Sequence, residues 1–356
     1  MKTVIITRLP LQSKLGGEEL HTLGVALFLR EQGYQVVFAT SCKILNAMAK
    51  EHGFKKYPLN NFPASPTSKI SLLFFILTLP FSLLGAMFEM LVWRLVCGKF
   101  TLYCLNLGDK LLFGFWARVF GIKAVFLEHA TIGSWLTKNP LKRLLKWNLA
   151  SSKCQMVTVS HTMKQILEQT LGVACAEIKN GIELDKNLNI SQINAFRNPK
   201  QILFVGRQQY DKGFDIFLEI AKQNPDLEFV AIGSGSLKKE SQEIPNLKNL
   251  GPIEHSELKK WYRQSQMLLL PTTTIDPFGL VVAEAMNQGC VPMCSNLVGA
   301  TDYLDNKFVC HIEKFKFSFK QYYQNSLNLN QEAYKQSLQF DDKQMFQDYL
   351  RLLNAL

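Results

Sequence analysis

The apolar positions along the first forty residues change period twice. A short apolar run at residues 4–7 is followed by a polar loop, 8–17, that ends in a glycine pair. Residues 18–32 then carry Leu20, Leu23, Leu27 and Phe28 at helical spacing and stop at Gly33, and a second apolar run follows at 36–40. This alternation predicts strand, loop, helix and strand, and hence a parallel sheet covered by helices. Further strands are predicted at 102–105, 124–127 and 156–160, with helices between them.

The pattern then restarts. Strands are predicted at 201–206, 229–233 and 267–270, with helices at 214–223, 255–265 and 278–288. Two α/β domains follow: an N-terminal one over 1–185 and a C-terminal one over 200–330, joined by a polar, Asn-rich linker at 186–199. Residues 331–356 carry Tyr334, Leu338, Met345, Tyr349, Leu352 and Leu353 on one face, predicting a final amphipathic helix that packs on the body of the protein.

One segment departs from this alternation. Residues 70–88 carry no charge, close to the roughly 20 apolar residues that span a bilayer. A span there would put the first strand and the glycine pair across the membrane from every later strand, and the first sheet could not close. Pro80 in mid-run and Glu89 and Arg94 just after it point the same way. The apolar segment 70–97 is therefore expected to lie on a membrane surface as a helix or helical hairpin, or to be buried against the first domain.

At 356 residues, 47% hydrophobic and 19% charged, the chain can fill two cores and is not disordered. The net charge of +11 points to nucleic acid, an anionic membrane or an anionic substrate. The basic residues are scattered, with no arginine-rich arm and no zinc-finger spacing, which excludes nucleic acid as a partner. Eight cysteines without any CxxC pair read as reduced core residues of a cytoplasmic protein. The apolar stretch before Arg8 is too short for a signal peptide.

Four features carry candidate chemistry. The strand ending at Gly206 delivers Arg207 and Lys212, next to Gly213, to the edge where open α/β sheets bind ligands; two cations there suit a diphosphate, and the bland alternative is a pair of solvated charges. Gly233-Ser234-Gly235 follows another strand as a turn that lets backbone approach a ligand. It lacks the third glycine and the downstream acid of a dinucleotide fingerprint, which weakens a hydride-transfer reading. Asp276 and Glu284 lie eight positions apart around Phe278, Gly279 and Leu280. Asp276 before Pro277 reads as a helix N-cap, the amides of Phe278, Gly279 and Leu280 as an anion site, and Glu284 as a carboxylate in an apolar helix that needs a partner or a ligand. In the first half, Gly16 and Gly17 open a helix and His129 follows Glu128 at a strand end, either as site residues or as a turn and a structural histidine.

Taken in order, these residues, together with Val159-Ser160, Asn180-Gly181-Ile182 and Gly289-Cys290-Val291-Pro292, resemble the retaining, glycogen-synthase-like glycosyltransferases of family 4. The resemblance covers nearly the whole chain and implies the GT-B fold: α/β, two facing Rossmann-like domains, with a C-terminal helix crossing back to the first. It implies that Arg207 and Lys212 bind the donor diphosphate, that Glu284 binds ribose, and that Asp276 and His129 lie by the transferred sugar. Gly16, Gly17, Gly206, Gly233, Phe278, Gly279 and Leu280 would line the donor site. Asp276 is one methylene shorter than the family's usual Glu and keeps the carboxylate. The implied function is retaining transfer of a hexose-type sugar from a nucleotide-diphosphate sugar to a glycan or lipid-linked acceptor of the cell envelope. No cofactor and no essential metal are expected, and neither is a dedicated metal site. The expected location is the cytoplasm, peripheral on the cytoplasmic face of the inner membrane. A nucleotide-sugar epimerase of the same fold and an inactive binding subunit at the membrane are the alternatives.

Overall fold

A computed structural model describes residues 2–9, 16–59, 62–66, 68–129 and 139–356. The chain forms two compact units. The first comprises Met1–Val159, Met163–Ile178 and Phe346–Leu356, and the second comprises Ser160–Thr162 and Lys179–Met345.

The first unit is built on seven parallel strands: β1 (Thr3–Arg8), β2 (Gln35–Thr40), β3 (Lys55–Tyr57), β4 (Phe100–Cys104), β5 (Ala124–Glu128), β6 (Cys154–Thr158) and β7 (Cys175–Glu177). Their order is β3-β2-β1-β4-β5-β6-β7, so the winding direction reverses between β1 and β4. The central strands are continuous buried runs, as expected for a parallel sheet covered on both faces. Helix Gly17–Glu31 follows β1 at the predicted place.

The apolar segment is a single helix, Lys69–Cys97, that runs through Pro80 without breaking into a hairpin. Phe75, Ala86, Met90 and Trp93 bury one face of it in the core beside Ile5, Val37 and Leu102. By length and composition this helix could cross a membrane.

The second unit repeats the design with six parallel strands: β8 (Asn198–Val205), β9 (Glu228–Ile232), β10 (Leu247–Gly251), β11 (Ser265–Leu270), β12 (Val291–Ser295) and β13 (Val309–Cys310). Their order is β10-β9-β8-β11-β12-β13, with the reversal between β8 and β11. Both sheets thus have the strand order of dinucleotide-binding folds, whose ligands sit outside the strand C-termini at that reversal. Phe204, Phe214, Phe217 and Phe229 pack edge and face in the second core.

Two expectations change. The 186–199 stretch lies inside the second unit and carries helix Ile190–Asn194. Arg197, the basic residue near its end, is buried and donates to the carbonyls of Tyr262, Ser265 and Gln288, which ties that segment down. The C-terminal stretch is two helices, Asn330–Ser337 and Asp342–Ala355. The first packs in the second unit, and the last eleven residues belong to the first, where Phe346 stacks on Phe28 and Tyr349 meets His21 edge-on. All eight cysteines are free thiols, seven of them buried.

Candidate active-site residues of the two units

In the second unit the loops after β8, β9, β11 and β12 all leave the same edge of the sheet, because every strand runs the same way. Gly233, after β9, has φ +131°, and a Cβ there would stand 1.9 Å from the Gly206 carbonyl oxygen. Only glycine fits that approach, so the loops after β8 and β9 touch backbone to backbone. A short 3-10 turn, Tyr210–Lys212, then ends at Gly213, where a Cβ would lie 1.8 Å from the Pro271 carbonyl oxygen. This contact holds Lys212 against the exit of β11.

Lys212 Nζ lies 2.6 Å from Asp276 Oδ2, and both side chains are largely shielded from solvent. Asp276 is not the expected helix cap. The helix begins at Leu280 and runs to Asn287, with Gly279 at φ +77° as its cap. Asp276 is instead held three residues upstream: its amide donates to the Leu297 carbonyl (2.8 Å), it bridges Val298, and its own carbonyl accepts from Gly299. Its Oδ1 accepts from the Phe278 amide at 3.3 Å. Of the three amides predicted as an anion site, Phe278 is therefore already engaged, leaving Gly279 and Leu280 at the helix mouth.

Arg207 is not a free cation. Its guanidinium meets Asp211 Oδ2 and Gln209 Oε1, each at 2.5 Å, and remains well exposed. Glu284 has structural partners that its apolar neighbours in sequence do not reveal. It accepts from the Tyr262 hydroxyl at 2.9 Å and lies 3.0 Å from His255 Nε2. Tyr262 is fully buried, which together with the Glu284 carboxylate lifts its hydroxyl pKa well above the ordinary value. The bond to Glu284 raises the His255 pKa. Lys212, Asp276 and Phe278 are thus bonded to one another, whereas Arg207 and Glu284 are held by other partners among the described residues.

The first unit holds Gly16, Gly17 and His129. Residues 10–15 of the loop after β1 lie outside the described residues. Gly16 caps helix Gly17–Glu31, and its amide donates to Glu19 Oε2 at 3.0 Å. Arg8, buried at the end of β1, pairs with Glu19 at 2.7 Å and Glu18 at 3.3 Å. Burial lifts the Glu18 carboxyl to about 7 against the opposing pull of Arg8. His129, directly after β5, places Nε2 3.2 Å from His21 Nδ1. Burial pushes His21 down to about 3. It pushes His129 well below its usual value too, helped by His21, Lys110 and Arg8. Both rings are therefore neutral at pH 7, able to donate or accept a hydrogen bond but not to supply charge. Beneath them the wholly buried Lys110 pairs with Glu128 at 2.6 Å.

Several of these partners escape a linear reading. Arg8, Lys110, His21, His255 and Tyr262 gain their roles only from contacts across the fold, whereas Asp211 pairs locally with Arg207, four residues before it. One local signal was present: Glu18 and Glu19 immediately follow the glycine pair, and an acid three residues after a helix cap commonly reaches back to the cap amide.

Residues 185–327 match the family Glycosyl transferases group 1. Among curated proteins, the chain is 29% identical over 157 residues to the phosphatidyl-myo-inositol mannosyltransferase of Propionibacterium freudenreichii, covering 42% of this chain and 40% of that one. The chain spans about two fifths of the length of the curated relatives it matches first. Among solved structures, a glycosyltransferase of Rickettsia africae superposes with a TM-score of 0.76 at 14% identity, over 98% of this chain and 97% of that one. The Anabaena HepE protein, crystallised with UDP-glucose, superposes with a TM-score of 0.74 at 16% identity, over 99% and 100%. The chain therefore has the GT-B fold, and residues 185–327, within its second unit, are similar to the Glycosyl transferases group 1 family.

Proposed function

We propose that the protein transfers a hexose-type sugar, with retention of anomeric configuration, from a nucleoside diphosphate sugar to a lipid-linked or cell-envelope glycan acceptor. The observation that carries this reading is the Lys212–Asp276 pair at the reversal between β8 and β11, with Arg207 on the same loop. A cation and a carboxylate locked together at a ligand-binding edge can each take one half of a donor: Lys212 a phosphate oxygen, Asp276 a sugar hydroxyl. Arg207 adds a second cation from the exposed side, and the Gly279 and Leu280 amides add the positive end of a helix. Glu284, fixed by Tyr262 and His255, offers its remaining lone pairs to ribose hydroxyls. In the first unit, neutral His129 with Gly16 and Gly17 is assigned to the sugar.

In this reading the protein forms no covalent intermediate. The bond between the anomeric carbon and the diphosphate breaks as the acceptor oxygen attaches on the same face, the acceptor hydroxyl's proton passes to the departing diphosphate oxygen, and the charge growing on that diphosphate is stabilised by Lys212, Arg207 and the helix amides. These groups supply the neutralisation that a metal would otherwise bring, so we assign no essential metal or other cofactor. The mannosyltransferase likeness and the UDP-glucose bound to the Anabaena protein favour a nucleotide-sugar donor. We assign the enzyme to the cytoplasm, at the cytoplasmic face of the membrane.

Incubating the protein with a panel of nucleotide sugars and membrane lipid extracts, then fixing the anomeric configuration of the product by NMR, tests this. Retention is expected. An inverted product excludes the retaining mechanism, and conversion of the donor with no transfer identifies an epimerase.

A further inference from the structure

The helix Lys69–Cys97 carries two apolar faces. One, through Phe75, Ala86, Met90 and Trp93, is packed in the first core. On the opposite side, Ile70, Phe74, Leu77, Phe81, Leu84, Phe88, Leu91 and Leu95 recur at alternating spacings of four and three and are all exposed, Phe81 by 77% and Leu95 by 86%. At 1.5 Å per residue this makes a stripe roughly 38 Å long. Exposed apolar area of this extent marks an interaction surface.

What covers the stripe is indicated at its C-terminal end. Leu91 and Arg94 also line an open cleft of about 890 Å3 at the N-terminal edge of the first sheet, the edge opposite the strand ends that carry Arg8 and His129. Lys2, Lys99, Lys123 and Lys153 line the same cleft, each placed just before the strand that starts there, β1, β4, β5 and β6. With Arg94 these are five cations, and among the described residues no carboxylate side chain lines the cleft. Lys2 bonds Asn354, and Lys153 bonds the Gly121 carbonyl. Among the described residues none of the five is paired with an acid. Phe120, 43% exposed, and Leu91 form the apolar wall that joins cleft to stripe.

We propose that this cleft and stripe form one binding site for an anionic phospholipid in a bilayer: the phosphate head group among Lys99, Lys123 and Lys153, the acyl region along the exposed stripe. The charge decides the occupant. A second copy of the chain would bring the same unpaired cations and could set no register through ion pairs, since residues 70–88 carry no charge. An anionic leaflet complements both halves at once. The packed face of the helix stays in the core, so the helix lies in the interface plane. The site is separate from the donor residues, and the proposal stands whether or not the transfer reading holds.

The test is flotation of the full chain with vesicles of phosphatidylcholine alone and with one third phosphatidylglycerol. Binding at least tenfold tighter to the anionic vesicles is expected, falling to the neutral level in K99E/K123E/K153E. F81D/F88D is expected to lose binding to both vesicle types. Circular dichroism and size-exclusion chromatography confirm that each variant is folded, and the nucleotide-induced thermal shift is expected to be unchanged in both. Equal binding to neutral and anionic vesicles overturns the head-group assignment, as does wild-type binding by the triple variant. A dimer that F81D/F88D dissociates, with no vesicle binding by the wild type, assigns the stripe to a second copy instead.

Discussion

Lys212 and Asp276 form a 2.6 Å ion pair across two loops of the second unit, sixty-four positions apart in the chain. The pair exists because Gly213 lets the first loop press on Pro271 and because Asp276 is pinned by Leu297 and Val298. It orients both side chains before any ligand arrives, and a ligand that takes one partner must also satisfy the other.

The two partners should separate on substitution. Lys212→Ala is expected to weaken nucleoside diphosphate binding by about 10- to 100-fold, the scale of a lost charge-assisted hydrogen bond of about 1.5–3 kcal/mol. Asp276→Asn is expected to leave nucleoside diphosphate affinity within a few-fold of wild type while lowering the turnover of the sugar donor. Titration calorimetry with nucleoside diphosphate and steady-state kinetics with the donor read the two effects. Equal loss of diphosphate affinity in both variants contradicts the division of labour.

Gly233→Ala places a methyl group on the Gly206 carbonyl and forces a side chain into a left-handed backbone. Displacing that carbonyl is expected to cost about 2–4 kcal/mol, read as a fall in thermal midpoint, and to weaken donor binding along with it. A variant with wild-type stability would mean that the two loops do not touch as described.

Tyr262→Phe removes the buried donor to Glu284 and is expected to destabilise the protein by about 1–3 kcal/mol. His255 contributes with a definite pH dependence. Its folded pKa is raised, so its stabilisation is complete below the unfolded value near 6.5 and is lost as pH rises through the folded value. His255→Ala should therefore cost more stability at pH 5.5 than at pH 8.5, measured by thermal melts at both. An equal cost at the two pH values contradicts the His255–Glu284 contact.

Glu18 has the opposite linkage from an ordinary surface carboxylate. Burial holds its folded pKa at about 7, above the unfolded 4.5, so the folded state binds the extra proton and stability falls as pH rises through that window. Glu18→Gln removes the penalty. Relative to wild type it is expected to gain on the order of 1–3 kcal/mol between pH 4.5 and pH 8, as one pKa unit is worth about 1.4 kcal/mol. Parallel melting curves across pH, with no change in the difference, would place Glu18 in water.

Much of the frame was legible because buried parallel strands are continuous apolar runs: β1, β2, β5, β8, β9 and β11 all lie where the hydrophobic pattern puts them. The short edge strands β3, β7, β10 and β13 carry too few apolar residues to stand out. The site was legible as a set of residue types and illegible as contacts. Asp276-Pro277 has the chemistry of a helix cap, yet Gly279, three residues after Asp276, takes the cap, because the strand-like bridge to Val298 and the pull of Lys212 hold Asp276 outside the helix. Glu284 looked unpaired because its partners, His255 and Tyr262, stand on a helix that local sequence cannot place against it.

The most direct measurement of the central claim is transfer of a radiolabelled sugar from a nucleoside diphosphate donor onto membrane lipid acceptor, run with wild type, Lys212→Ala and Glu284→Ala, with and without chelator. The account predicts labelled product from wild type at the same rate in chelator, and a fall of about 100-fold or more in each variant. Wild-type rates from both variants, or no product from any donor with a folded, nucleotide-binding protein, would contradict it.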